Sequence, residues 1–142
     1  MEKEIINGMY QKAIADLSKA QDELYKPKED VVHYSCCISA RSALYHFLGC
    51  LCMLNEDRVD IDSIEQGTTT MDQLIKKAGK TYSEVAKMDF SGVHCKRKDV
   101  KNVLNNDEIY FCNNTGVVSN CTNLAHQLKQ IVDKRTSKFV QP

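Results

Sequence analysis

The sequence lacks an excess of charge of either sign. Its 142 residues carry 19 lysines and arginines against 19 aspartates and glutamates, a formal net charge of zero at pH 7. A protein that neutralises many phosphates carries a basic excess, so nucleic-acid binding here is confined to a local patch. No apolar run reaches the roughly 18 to 20 residues that span a bilayer, because Arg41 and His46 interrupt the longest one. No membrane association is therefore expected. The opening Met1-Glu2-Lys3-Glu4 has neither the basic nor the apolar region of a signal peptide. There is no internal repeat, no low-complexity stretch and no CxxC pair. The seven cysteines are an odd number, awkward for a disulfide framework, and are read as reduced thiols of a cytoplasmic protein. Asn113-Asn114-Thr115 and Asn120-Cys121-Thr122 match the glycosylation pattern, which matters only for a secreted chain.

What is present is ordinary globular composition, 27 % charged and 42 % hydrophobic, which argues against wholesale disorder. A chain of this length buries roughly 68 to 70 % of its unfolded surface, enough for one core without staples. A single domain over 1–142 is expected, with 136–142 as a flexible tail.

The most informative stretch is 31–54, apolar on nearly every side although Arg41 and His46 lie inside it. A helix apolar all round belongs where several others cover it, so this segment is the expected centre of an all-α bundle. Before it, Ile6, Tyr10, Ala13, Leu17, Ala20 and Leu24 advance by threes and fours, an amphipathic helix. Pro27 stops that helix, and Asp30 is placed to cap the next. The short turn makes the two an antiparallel hairpin.

The acidic stretch 55–62 reads as a surface connection. Thr70 and Gln73 have capping-box spacing, and Met71, Leu74, Ile75, Ala78, Tyr82 and Val85 then recur at helical intervals, with Gly79 placed to end or bend the helix. Ser91-Gly92-Val93 is a turn, and 99–104 a short helical piece. Ile109-Tyr110-Phe111-Cys112 has strand-like residues but no other strand to pair with, and is read as loop or helix start. The last helix is expected over 119–134, with Cys121, Leu124, Ala125, Leu128, Ile131 and Val132 on one side. The expected fold is an antiparallel up-and-down bundle of four to five helices.

In that order of helices the chain resembles the HEPN domains, the helical family named for higher eukaryotes and prokaryotes nucleotide binding. The resemblance is carried by Ala13-Ile14-Ala15-Asp16-Leu17-Ser18-Lys19-Ala20, similar to the family's opening helix. It is carried too by Ser39-Ala40-Arg41-Ser42-Ala43-Leu44-Tyr45-His46-Phe47-Leu48, similar to its second. The resemblance implies one of two roles. Some HEPN proteins are metal-independent ribonucleases that use an arginine and a histidine four to six residues apart on a late helix, completed across a dimer. Others lack the motif and bind a nucleotidyltransferase. The expected assembly is a homodimer, with a nucleotidyltransferase or RNA as partner and no cofactor.

Of the four arginines, Arg58, Arg97 and Arg135 have no histidine at that distance. Only Arg41 and His46 fit, and they lie on an earlier helix than the family uses. Histidine supplies an acid or base and arginine stabilises phosphorane charge. Five steps of about 100° nevertheless put the two roughly 140° apart around a helix, so they converge only through a dimer contact or a helix irregularity. The alternative is that Arg41 snorkels to the surface and His46 finds a partner inside the bundle.

The run containing Lys96, Arg97, Lys98 and Lys101, with Lys76, Lys77 and Lys80 on the third helix, is the candidate nucleotide or nucleic-acid surface. A solvated charged face is the alternative, since no aromatics interleave with the first run. His33, Cys36 and Cys37 share helical spacing, but two or three ligands do not make a structural zinc site. Cys50 is roughly 21 Å from Cys36 along the helix, so no metal is expected and the thiols are read as small hydrophobes. Tyr10, Tyr25, Tyr34 and Tyr45 form either an interface belt or core contacts with wet hydroxyls. Three functions follow: a non-catalytic binding module, an endoribonuclease using Arg41 and His46, or a purely structural dimerisation protein.

Overall fold

A computed structural model describes residues 2–54, 71–91, 93 and 115–136. They form an all-α bundle: α1 (Glu2–Leu24), α2 (His33–Leu54), α3 (Met71–Thr81), α4 (Ser83–Ala86) and α5 (Thr115–Thr136), with a 3-10 turn at Lys28–Asp30 and no strand among the described residues. The expectations for Thr70, for 55–62, for 94–112 including Lys96, Arg97, Lys98 and Lys101, and for the tail 137–142 lie outside the described residues.

In α1, Ile6, Met9, Ala13, Leu17 and Ala20 are buried, a stripe at spacings of three and four. It packs on α2 in the opposite direction. Cys36 Sγ lies 3.6 Å from the Ala20 carbonyl at one end of the pair, and Cys50 Sγ 3.6 Å from the Ile6 carbonyl at the other. Ala13, Ala20, Ala40 and Ala43 are all fully buried, small side chains that fit a closely packed core.

The hairpin is closed differently from the sequence expectation. α1 ends at Leu24, where Tyr25 and Lys26 make tightened backbone bonds to Asp22 and Glu23. Asp30 does not cap α2. It ends the 3-10 turn, donating its N–H to the Pro27 carbonyl at 2.8 Å. The helix starts later, with Val32 accepting the first bond from Cys36 N–H. The N–H of Val32, the residue before the helix, is held by Glu23 Oε2 at 2.8 Å, so a carboxylate from the end of α1 fixes the entry to α2.

α2 is covered by α1, α3 and α5, which explains its apolar breadth. Ala40, Leu44, Phe47, Leu48 and Leu51 have no solvent exposure. By length and composition Ser35–Leu54 is apolar enough to cross a membrane, but 78 % of its most apolar window is buried inside the bundle. It is the core helix.

α5 starts four residues earlier than expected, at Thr115, and buries Val118, Cys121, Leu124, Ala125, Leu128 and Val132. Cys36 of α2 interacts with Thr122 near the start of α5. At the other end, Tyr10 packs edge-on against Phe47 with ring centroids 6.2 Å apart, and its hydroxyl donates to Asp133. α5 therefore runs with α2 and against α1.

The third expected helix is two. Tyr82 is extended, φ −107° and ψ 105°, and breaks the run between α3 and α4. Gly79 stays within α3 and does not end it. After the break, Glu84 meets Arg135 at 2.8 Å, and the Arg135 guanidinium lies 5.2 Å from the centre of the Tyr82 ring. The expected turn at Ser91-Gly92-Val93 includes Gly92, outside the described residues; around it, Val93 N–H bonds the Phe90 carbonyl, and Asp89 Oδ1 accepts from both the N–H and the hydroxyl of Ser91.

Candidate functional site

Arg41 and His46 are both buried, at 2 % and 3 % exposure. They face different neighbours. Ser42 and His46, one turn apart, look toward α1, where the Ser42 hydroxyl donates to Asp16 Oδ2 at 2.5 Å. Arg41 shares its side of α2 with Tyr45 and Cys52. That side looks toward α3, since the Tyr45 hydroxyl accepts the Met71 N–H at 3.2 Å and Cys52 Sγ lies 3.8 Å from the Leu74 carbonyl. Within one chain the pair does not share a cleft.

His46 does find a partner inside the bundle. Its Nδ1 lies 2.8 Å from the Ser42 carbonyl, and a carbonyl only accepts, so Nδ1 carries the proton. The Ser42 hydroxyl is farther off, at 3.4 Å. Snorkelling of Arg41 does not occur. Its guanidinium stays in the interior, and Nη1 and Nη2 have no hydrogen-bond partner among the described residues.

The residues around His46 form a chain that the sequence reading missed: Lys12, Asp16, Ser42 and His46. Asp16 is only 4 % exposed, with Lys12 Nζ at 3.3 Å on its other oxygen. The signal was available, because Asp16 stands three residues after Ala13 and four before Ala20, on the buried stripe of α1. The order of the chain is wrong for a serine nucleophile. Such sites put histidine between serine and carboxylate, so that it removes the serine proton. Here Ser42 gives its proton to Asp16, and the Nδ1 proton of His46 goes to a backbone carbonyl. The arrangement ties α1 to α2.

No family model matches the chain, and no curated protein or solved structure is similar to it.

Lys76, Lys77 and Lys80 are exposed on α3, so they are available to an anionic partner. Among the described residues there is no group of three or more histidine, cysteine, aspartate or glutamate side chains that could hold a metal ion. Cys36, Cys37, Cys50, Cys52 and Cys121 are buried and none is in a disulfide. Burial pushes the Cys50 thiol up to about 12 and raises Cys36 as well, which makes them poor nucleophiles. Of the tyrosines, Tyr45 is core and Tyr25 is 86 % exposed, while Tyr10 joins α1 to α5. The Tyr10 hydroxyl titrates above its ordinary range through burial and its bond to Asp133. Tyr10, Tyr25 and Tyr45 do not make one belt, and the side chain of Tyr34 lies outside the described residues.

A shallow groove of about 530 Å³ runs beside α5, lined by Glu84, Lys87, Met88, Asp89, Asn120 and Gln127 among others. Its charges are mixed and it holds neither Arg41 nor His46.

Proposed function

We propose that the chain is a non-catalytic HEPN-like module that works by binding a nucleotide or a nucleotide-bearing partner. One observation carries the non-catalytic part of this reading: Arg41 and His46 look toward different helices. General acid-base chemistry needs both groups within hydrogen-bond reach of one reacting centre. The exposed Lys76, Lys77 and Lys80 give the surface of α3 an attraction for phosphate. We further propose a cytoplasmic homodimer, the thiols of the core suiting a reducing compartment.

The tests are direct. Purified protein is expected to retain ultraviolet-absorbing nucleotide or to gain thermal stability with added nucleotides, and neither outcome would leave only a structural role. The competing endoribonuclease reading predicts RNA cleavage that His46→Ala abolishes; equal inactivity of both proteins removes it. Light scattering that returns the mass of one chain refutes the dimer.

A further inference from the structure

The groove beside α5 has two walls. Asn120, Leu124 and Gln127 stand at spacings of four and three along α5 and so share one face of it, and the stretch from Glu84 to Ser91 supplies the other side. Its polar groups divide into those already held and those left over. Glu84 is paired with Arg135 at 2.8 Å and Lys134 at 3.9 Å, and Asp89 takes two hydrogen bonds from Ser91. The side chains of Lys87, Asn120 and Gln127 are exposed and bond to no described residue. With them in the groove lie Met88, half-buried, and Leu124, buried.

The groups left over define a ligand. Met88 and Leu124 offer an apolar floor, and a thioether makes favourable contacts with the edge of an aromatic ring. A carboxamide presents a donor and an acceptor side by side, the pattern that meets the N6 and N7 edge of adenine with two hydrogen bonds. Lys87 is the cation among the described residues that line the groove, a point charge suited to phosphate. At about 530 Å³ the groove has the volume of a small-molecule site. We propose that the groove between α5 and the stretch from Glu84 to Ser91 binds a nucleoside monophosphate, with the base over Met88 and Leu124 and the phosphate on Lys87. One of the carboxamides of Asn120 and Gln127 then meets the edge of the base and the other the ribose hydroxyls. This rests on the reading of the chain as a nucleotide-binding module and gives that reading an address. One phosphate suits the groove better than three, because a longer run of negative charge would meet the carboxylates of Asp89 and Glu84.

The test is binding of AMP, ATP, adenosine and inorganic phosphate to the whole chain at constant ionic strength, read by titration calorimetry and by thermal unfolding. At about 100 times the dissociation constant of AMP the wild-type midpoint is expected to rise by roughly 8 °C. Lys87→Glu is expected to weaken AMP by about tenfold or more and to leave adenosine as it was. Asn120→Ala combined with Gln127→Ala is expected to weaken AMP and adenosine alike. All three side chains are exposed, so without ligand these variants are expected to unfold where the wild type does. Inorganic phosphate that raises the midpoint as far as AMP, ATP that binds more tightly than AMP, or Lys87→Glu that weakens adenosine as much as AMP overturns the site. An AMP response that both variants retain removes this site and leaves the nucleotide reading standing. A wild type that responds to neither AMP nor ATP removes both.

Discussion

Ser42→Ala and Asp16→Ala, made singly and together, measure whether the buried chain between α1 and α2 acts as a unit. The Ser42 hydroxyl gives Asp16 its closest hydrogen bond, at 2.5 Å, and the carboxylate is 95 % hidden on its side-chain surface. Lys12, on the other oxygen, is half exposed, so solvent reduces its help to a few tenths of a kcal/mol. A hydrogen bond to a charged group contributes about 1.5–3 kcal/mol, and stranding a buried acceptor adds to the loss. Ser42→Ala is thus expected to destabilise by about 2–3 kcal/mol. Asp16→Ala should cost less, about 1–2 kcal/mol, because the orphaned hydroxyl can turn to a carbonyl one turn back in its own helix. Removing both leaves nothing stranded, so the double variant should lose little more than Ser42→Ala, a coupling of about 1–2 kcal/mol. Urea unfolding followed by far-ultraviolet circular dichroism reads all four corners of the cycle. Additivity within about 0.5 kcal/mol would show that the contact contributes nothing as a pair, and the argument from burial would fail.

Three further outcomes are expected. The Glu23 carboxyl is held below its ordinary value of 4.5, first by the Val32 N–H and then by Lys26. Its contribution is present above the unfolded value and lost as pH falls through the lower folded one. Glu23→Gln should therefore be less stable than the wild type at neutral pH, with the gap closing below about pH 4; a gap independent of pH contradicts the capping role. Gly79→Ala should stabilise by about 0.5–1 kcal/mol, because a Cβ there meets Ala86 only at 3.7 Å, an ordinary contact. A loss on denaturation would mean that α3 and α4 pack more tightly than this. Brief alkylation at mildly alkaline pH should spare Cys50, whose thiol burial pushes up to about 12, and modify it in urea. Labelling of the native protein at that position, read by peptide mass spectrometry, counts against the packing of α1 on α2.

The helices were legible because their periodicity is long and strong. Ile6 to Ala20 in α1 and Val118 to Val132 in α5 each hold one stripe over several turns, and α2 betrayed its central position by having no polar side. Boundaries were less legible, because they depend on contacts between elements. Asp30 has the right residue type for a cap, but Glu23 reaches Val32 from nine residues away, and local sequence carries no sign of that. The break at Tyr82 likewise falls on a residue that fits the helical period, and Gly79, the local suspect, stays helical. At the candidate site, spacing alone correctly put Arg41 and His46 on different sides of α2. It could not tell that Arg41 stays inside, since whether a long side chain reaches water depends on what stands over it. Asp16 was hidden by the habit of assigning charge to the wet face.

The cover that α5 lays over α2 also bears on how the chain is made. Synthesis proceeds from the amino terminus, so the α1–α2 hairpin leaves the ribosome well before Leu124, Leu128 and Val132 exist to close it. During that interval a helix with the length and apolar character of a membrane span stands without its last neighbour. Arginine within such a segment disfavours insertion, by about 2.5–3.5 kcal/mol at its centre and less toward its ends, and Arg41 lies six residues in from the start of Ser35–Leu54. The same arginine that is buried in the finished core is thus the one formally charged residue of Ser35–Leu54, and it weighs against insertion while the hairpin stands uncovered.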